Sequence, residues 1–426
     1  MRIASEVLVP KNDNGSVEFR LMRYASPDAP HLVETRFLTK ESDFFDEQQE
    51  RESLDNGASW SEWKDLPKRL YYIGNNEILI HERTPVYNPV HHHYVACIME
   101  RTFVDGHEAA YRKSDYEDIQ GFKDHCYIVT TGTQRQELSR RLIRYESGSE
   151  FDPQDPFSAD YLEHNWAYYG GVTVLDDGDI VIPLGVPVEY CCEVLGLDVQ
   201  EVFPSCPKVQ KGLLVARGRW NEETLCYDLT FSRPLVISDL ESSRGVDEPA
   251  IAQLKNNRLL VVIRTANVRY EPNHPRINPY APGVKHYAYS DDGGKTFTHA
   301  MPWFFDTREY AYSSTSIHEF IRSSKTGKLY WIGNITDPQN TYGGYPRWPL
   351  VICEVDDEYG VLKKDTLDII DTRHPGESDK VQLSNFDVFE NRYTGNIEIR
   401  VPHAGAISEA ERFRGDTIRY IIDLTI

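Results

Sequence analysis

The sequence is short of positive charge, of methionine and of long apolar runs. Its 46 Lys and Arg face 67 Asp and Glu, a formal charge of −21 over 426 residues. Phosphate contacts need a positive surface, so this balance argues against a nucleic-acid partner. No window approaches the roughly 18 uninterrupted apolar residues of a membrane span, so no membrane partner is expected. The opening stretch "MRIASEVLVPKNDNG" has no apolar run behind a basic region, as a secretory signal would. Cysteine is sparse and odd in number: Cys97, Cys126, Cys191, Cys192, Cys206, Cys226 and Cys353 contain no CxxC pair. A disulfide framework and a cysteine metal cluster are therefore not expected. A cytoplasmic, reducing compartment follows, or a secreted or periplasmic one if a leader has been removed. Helical signals are weak: only "DYEDIQGFKDH" and "ISEAERFRGD" read as short helices.

What the sequence does have is aromatic residues and repeated hairpins. Twenty-six Tyr and 17 Phe favour strands. A unit of apolar strand, polar turn and second apolar strand occurs six times, with turns near Asp28, Asn76, Asp177, Asn256, Thr326 and Thr394. The steps between them are 48, 101, 79, 70 and 68 residues. The three later steps lie near one sixth of the chain, and the long one leaves room for an insertion around residues 100–165 or for an extra blade. Small antiparallel sheets repeated around an axis satisfy this pattern while leaving few open edges. The expected fold is an all-β, six-bladed β-propeller forming one domain over residues 1–426, with seven blades as the alternative.

Two segments share a finer pattern, "SLDNGASW" from Ser53 and "SDDGGKTF" from Ser290. In each, an Asp can bond its own loop's amides, a Gly supplies positive φ and an aromatic plugs the space beneath. This resembles the Asp box of the sialidase superfamily (BNR repeat). The resemblance covers most of the chain as a blade pattern. It implies a propeller with its active site on the axis, and Asp boxes that serve as structural turns at the outer rim.

That resemblance also implies site residues. "VDEPAIAQLKNNRLLVVIR" is similar to a family segment in which a Glu polarises a tyrosine nucleophile and an Arg helps clasp the substrate carboxylate; Glu248 and Arg264 stand in those places. "LYWIGNITDPQNTYGGYPRWPL" places Arg347 as another arginine of the clasp. Its planar fork suits a carboxylate better than lysine does. "VEFRLMRYASPDAPHLVETRFL" puts Arg20 or Arg23 at the first arginine and Glu34 at the general acid. The pattern breaks near the end, where "VQLSNFDVF" has Leu383 at the position of the nucleophilic Tyr. Glu248 would then act directly, as base or nucleophile, in the two-carboxylate scheme common among glycosidases, or sialoside hydrolysis would be lost.

Other residues join the candidates on their own pattern. Asp247 adjoins Glu248, and strand alternation would send only one of the two to the axis; Arg244 lies just upstream. In "VYNPVHHHYV", His91 and His93 share one strand face and could hold a metal or act as acid or base near neutral pH. No cofactor is assigned; a structural or catalytic metal stays open.

The function expected is a glycoside hydrolase-like enzyme that removes a terminal anionic sugar, of sialic or uronic acid type, from a carbohydrate. Its catalytic candidates are Glu248, Glu34, Asp247 and His93; its substrate-binding candidates are Arg264, Arg347, Arg20, Arg244 and His91. A lyase using His and Tyr, as in some propeller polysaccharide lyases, and a non-catalytic glycan-binding propeller are the alternatives. Nothing in the sequence fixes an oligomeric state.

Overall fold

The computed structural model describes residues 1–11, 16–39, 47–110, 121–146, 158–204, 210–266, 283–341 and 344–425. Six antiparallel sheets form a six-bladed β-propeller. Blade 1 consists of Val17–Tyr24, Leu32–Thr39, Gln48–Ser53 and Lys64–Asp65. Blade 2 runs from Leu70–Ile73 through Asn76–Glu82, His93–Phe103, Phe122–Thr131 and Glu137–Leu142, with Val86–Asn88 also paired to its third strand. Blade 3 is built around Ile180–Pro187 and Lys211–Asn221, with Tyr168–Tyr169 and Thr173–Val174 on the inner side and Cys226–Phe231 outside. Blades 4 and 5 begin at Asp247–Gln253 and Glu319–Arg322. Blade 6 joins Asp387–Glu390, Ile397–Pro402 and Thr417–Asp423 to the N-terminal strand Arg2–Val9.

The strands at blade centres read as nearly unbroken apolar runs because both of their faces are buried. In Ile180–Pro187, Ile180, Ile182 and Leu184 pack towards blade 2, whereas Val181 packs towards blade 4. The same division recurs in blade 5, where Trp331 faces blade 4 and Tyr330 and Ile332 face blade 6. Each such aliphatic side chain, removed from water, contributes roughly 1.5–3 kcal/mol. Blades 1 and 2 add a polar tie, with Arg135 bridging Glu50 at 2.8 Å and Glu52 at 2.6 Å.

Five of the six expected hairpins join the first two strands of a blade. In blade 2 the Asn76 hairpin instead joins an added inner strand, and the equivalent turn lies at His91. With His91 as the marker, the steps become 63 and 86 residues (91 − 28 and 177 − 91), so no seventh blade is needed. Much of residues 100–165 belongs to blade 2; 111–120 and 147–157 lie outside the described residues.

The expected helices did not form among the described residues. Residues 115–120 of the first candidate lie outside the described residues, and its end, Phe122–His125, begins the strand Phe122–Thr131, which pairs with His93–Phe103. Residues 407–416 form bends and turns. A helix the sequence reading missed, Val188–Leu195, ends on Gly196 at φ 69°. Both Asp-containing turns follow the third strand of their blades. In the first, Ser53 Oγ donates to Asp55 Oδ1 and accepts from Gly57 N, while Ser59 N donates to Asp55 Oδ1. In the second, Ser290, Asp292, Gly294 and Thr296 make the same bonds. These hydroxyl and amide donors hold both Asp carboxyls at about 2.

Candidate functional site

The inner strands of all six blades surround a cavity of about 1640 Å³. Among the described residues its wall carries ten Arg and two Lys against six Asp and Glu, a local excess of cations in a chain of net charge −21. Burial in a low-dielectric wall strengthens this field towards an anionic ligand.

At one end of the cavity the first two strands of blade 4 pair Asp247 with Arg264, and a bulge separates that pair from Ala250 and Val262. Glu248 occupies the bulge at φ 31°, in the left-handed region uncommon for a residue with a Cβ. The bulge overturns the expectation that alternation sends only one of the two carboxylates inward. Glu248 Oε2 accepts from Arg264 Nη1, and Asp247 Oδ2 lies 3.9 Å from Arg264 Nε and 3.6 Å from Arg244 Nε. Burial works against charge on Asp247, but Arg264, Arg244 and Lys211 hold its carboxyl below the usual range. Burial likewise opposes charge on Arg264, and its two carboxylates more than offset this and raise its pKa.

The other oxygen of Glu248 accepts a hydrogen bond from the Tyr168 hydroxyl at 3.0 Å. Tyr168 comes from blade 3, and Gly170 makes its approach possible. A Cβ at position 170 would stand 2.3 Å from the Pro183 carbonyl oxygen and 3.0 Å from that of Pro249, the residue after Glu248. Burial and then the Glu248 carboxylate push the Tyr168 phenol well above its ordinary pKa, so at rest it is the donor. Lys211 Nζ and the Arg101 guanidinium lie 5.4 and 5.9 Å from the centre of its ring.

Arg347 approaches from the connection into the third strand of blade 5. Its Nη1 donates to Gln382 Oε1 at 3.1 Å and Ser384 Oγ at 3.3 Å, and Arg412 Nη2 shares the Gln382 oxygen at 3.1 Å. Burial and the neighbouring Arg264 guanidinium lower Arg347 to about 10. Nε of Arg264, Nη1 of Arg400 and Nε of Arg412 are buried donors with no hydrogen-bond acceptor among the described residues. A bound oxyanion would satisfy donors of this kind.

Further along the wall, Arg83 pairs with Glu319 at 3.3 Å and lies over the ring of Tyr169. Burial, above all, raises the Glu319 carboxyl. Asp387 lines the cavity from blade 6 and accepts from Met22 N at 2.9 Å. Burial, with help from the Glu319 and Glu34 charges, pushes it up to about 7. Beneath the arginines, the fully buried Lys285 donates to the Ser316 carbonyl; burial, then Arg264, takes its pKa well below the lysine range.

Of the residues singled out in the sequence, Glu248, Asp247, Arg264, Arg244 and Arg347 converge at one end of the cavity. Arg20 also lines it, but its guanidinium is occupied by Glu18 at 2.9 Å and Glu34 at 3.3 Å. Glu34 is 2% exposed behind the wall, held by Arg20, Arg51 and Arg400. It is not placed to protonate a leaving group. His93 and His91 lie at the hairpin-turn end, where Gly178 faces His91. Six residues of strand separate that end from Asp247, roughly 20 Å. His93 stacks on Trp220 at 4.0 Å and hydrogen-bonds the Tyr227 hydroxyl at 2.8 Å, and burial lowers it to about 4. Leu383 is fully buried between blades 5 and 6.

The sequence reading missed Tyr168, Glu319, Asp387, Arg83 and Arg412. All but Arg412 lie on or beside the inner strands, so a consistent listing of polar residues on those strands would have found them.

No family model matches the chain, and no curated protein matches its sequence. Solved structures do match its fold. A protein of unknown function from Dyadobacter fermentans aligns over 98% of this chain and 99% of its own, with TM-score 0.57 and 11% identity. A variant of the NanB sialidase from Streptococcus pneumoniae aligns over 98% and 70%, with TM-score 0.58 and 10% identity. The intramolecular trans-sialidase from Ruminococcus gnavus, in complex with oseltamivir carboxylate, aligns over 98% and 96%, with TM-score 0.53 and 10% identity. The chain is thus a sialidase-like propeller in fold.

Proposed function

We propose that this propeller is a glycoside hydrolase-like enzyme that releases a terminal anionic sugar, of the sialic or uronic acid class, from a glycan. The observation that carries this reading is the Tyr168 hydroxyl bonded to Glu248 at 3.0 Å on the wall of an arginine-rich axial cavity. With Leu383 buried, the nucleophile shifts to Tyr168. Its oxygen attacks the anomeric carbon while its proton passes to Glu248, and the bond to the leaving group breaks. Asp387, with a carboxyl near 7, gives its proton to the departing oxygen. In the second half a water loses a proton to Asp387 and attacks the same carbon, and Tyr168 leaves with the proton returned from Glu248. The result is hydrolysis with retention. Arg264, Arg347 and Arg244 hold the substrate carboxylate, and Asp247 fixes Arg264 and Arg244.

A second reading, β-elimination from a uronate with Tyr168 as base, is favoured by Lys211 and Arg101 flanking the phenol ring, since both would stabilise a phenolate. Assay of the chain on fluorogenic aryl glycosides of sialic and uronic acids, and on uronate oligosaccharides, decides among the readings. The hydrolase releases the aglycone and loses this in E248Q, whereas the lyase forms a product that absorbs in the ultraviolet. Ligand-induced rise in melting temperature without either product would leave a binding protein. Unchanged turnover in E248Q would overturn the first reading.

A further inference from the structure

Outside the axial cavity, one cluster among the described residues brings together the side chains that hold transition metals. His374 and Glu377 lie on the connection from blade 5 to blade 6, and His403 follows the second strand of blade 6. Their ligand atoms all fall within 4.8 Å of one another. We propose that His374, Glu377 and His403 bind one Zn²⁺ ion per chain, through the two Nδ1 atoms and Glu377 Oε1.

The geometry is specific. Glu377 Oε1 lies 3.1 Å from His403 Nδ1 and 3.8 Å from His374 Nδ1. Zinc bonds of about 2.0–2.2 Å in a tetrahedron separate neighbouring ligand atoms by roughly 3.3–3.5 Å, between these two values. Both Nε2 atoms face the other way, towards Asp371, with His403 Nε2 3.0 Å from Oδ2 and His374 Nε2 2.9 Å from Oδ1. One carboxylate thus fixes both rings with their Nδ1 atoms turned towards Glu377, the orientation that the carboxylate–histidine–zinc arrangement requires. The free oxygen of Glu377 accepts the His374 backbone N–H at 2.7 Å, leaving Oε1 for the ion. The Tyr420 hydroxyl in turn donates to Asp371.

Two imidazoles and one carboxylate suit zinc; calcium and magnesium take oxygen ligands. His374 is 46% exposed while His403 is buried, so a fourth position faces solvent. Five residues after Glu377, Gln382 receives both Arg347 and Arg412. Zinc therefore ties the blade 5–6 connection down beside the arginine cluster.

The test uses the full chain, stripped with chelator and dialysed against Zn²⁺. About one equivalent should bind, with a rise in melting temperature, and Co²⁺ in its place should give the visible absorption of a tetrahedral site. H374A, at an exposed position, and E377Q should bind at least tenfold more weakly, and D371N roughly 10–100-fold more weakly. Uptake well below one equivalent by the native chain would overturn the proposal. So would uptake unaltered in both H374A and E377Q.

Discussion

Tyr168 and Glu248 stand 80 residues apart in the chain and 3.0 Å apart in space, joined by one hydrogen bond from phenol to carboxylate. Two blades meet there, and the pair depends on a bulge in one and a glycine in the other.

Y168F removes only the hydroxyl. Turnover should fall at least ~10³-fold, because no nucleophile remains, while stability should shift by about 1 kcal/mol or less, as for a single hydrogen bond. Steady-state rates beside a thermal melt check both halves. Full activity in Y168F would remove Tyr168 from the mechanism.

Gly170→Ala tests the approach of the blade 3 strand. The added Cβ meets two backbone carbonyls, which cannot swing aside as a side chain can. Tyr168 should shift by a few tenths of an ångström or more, lowering turnover by ~10²-fold with a modest fall in melting temperature. Native kinetics in this variant would show that the pair tolerates displacement.

Asp387 sets a pH dependence. Protonated below about 7, it can donate to a leaving group, so turnover of poor leaving groups should fall as pH rises through 7. D387N should abolish this alkaline limb and slow every substrate, because the second half also uses Asp387 as base; aryl substrates whose leaving group needs no proton should still show a first-turnover burst of aglycone. Stability follows the same sign: the folded chain holds this proton more tightly than the unfolded one, so between the ordinary carboxylate range and pH 7 stability declines as pH rises. Melts of D387N across that window should lack this slope. An unchanged limb and slope would assign both to another group.

L383Y places a tyrosine at the position the family resemblance marks. Leu383 is packed between two blades, so the larger ring should cost about 1–3 kcal/mol and add no activity. A gain in turnover from L383Y would mean that the buried position can open to the cavity.

The apolar runs and hairpin turns made the propeller legible, because a blade strand buried on both faces leaves no other reading of "IVIPLGVP" or "LLVVIR". The bracket of Glu248 and Arg264 was legible for a related reason: the hairpin's length fixes both at one end of the sheet. Glu34 misled because its spacing carried no information on the arginines that surround it. His91 and His93 misled because alternation reports a shared face and not the end of the cavity. Tyr168 was hidden by distance along the chain, since no local spacing can report a contact made where two neighbouring blades pack.

The N-terminal strand Arg2–Val9 forms the outer edge of blade 6, paired with Thr417–Asp423. Arg2–Val9 therefore has no strand partner until Thr417–Asp423, far later in the chain, has emerged from the ribosome. During synthesis the growing chain is an open arc, and the axial wall that unites Glu248, Arg347 and Asp387 comes into being as a whole only when that seam is zipped.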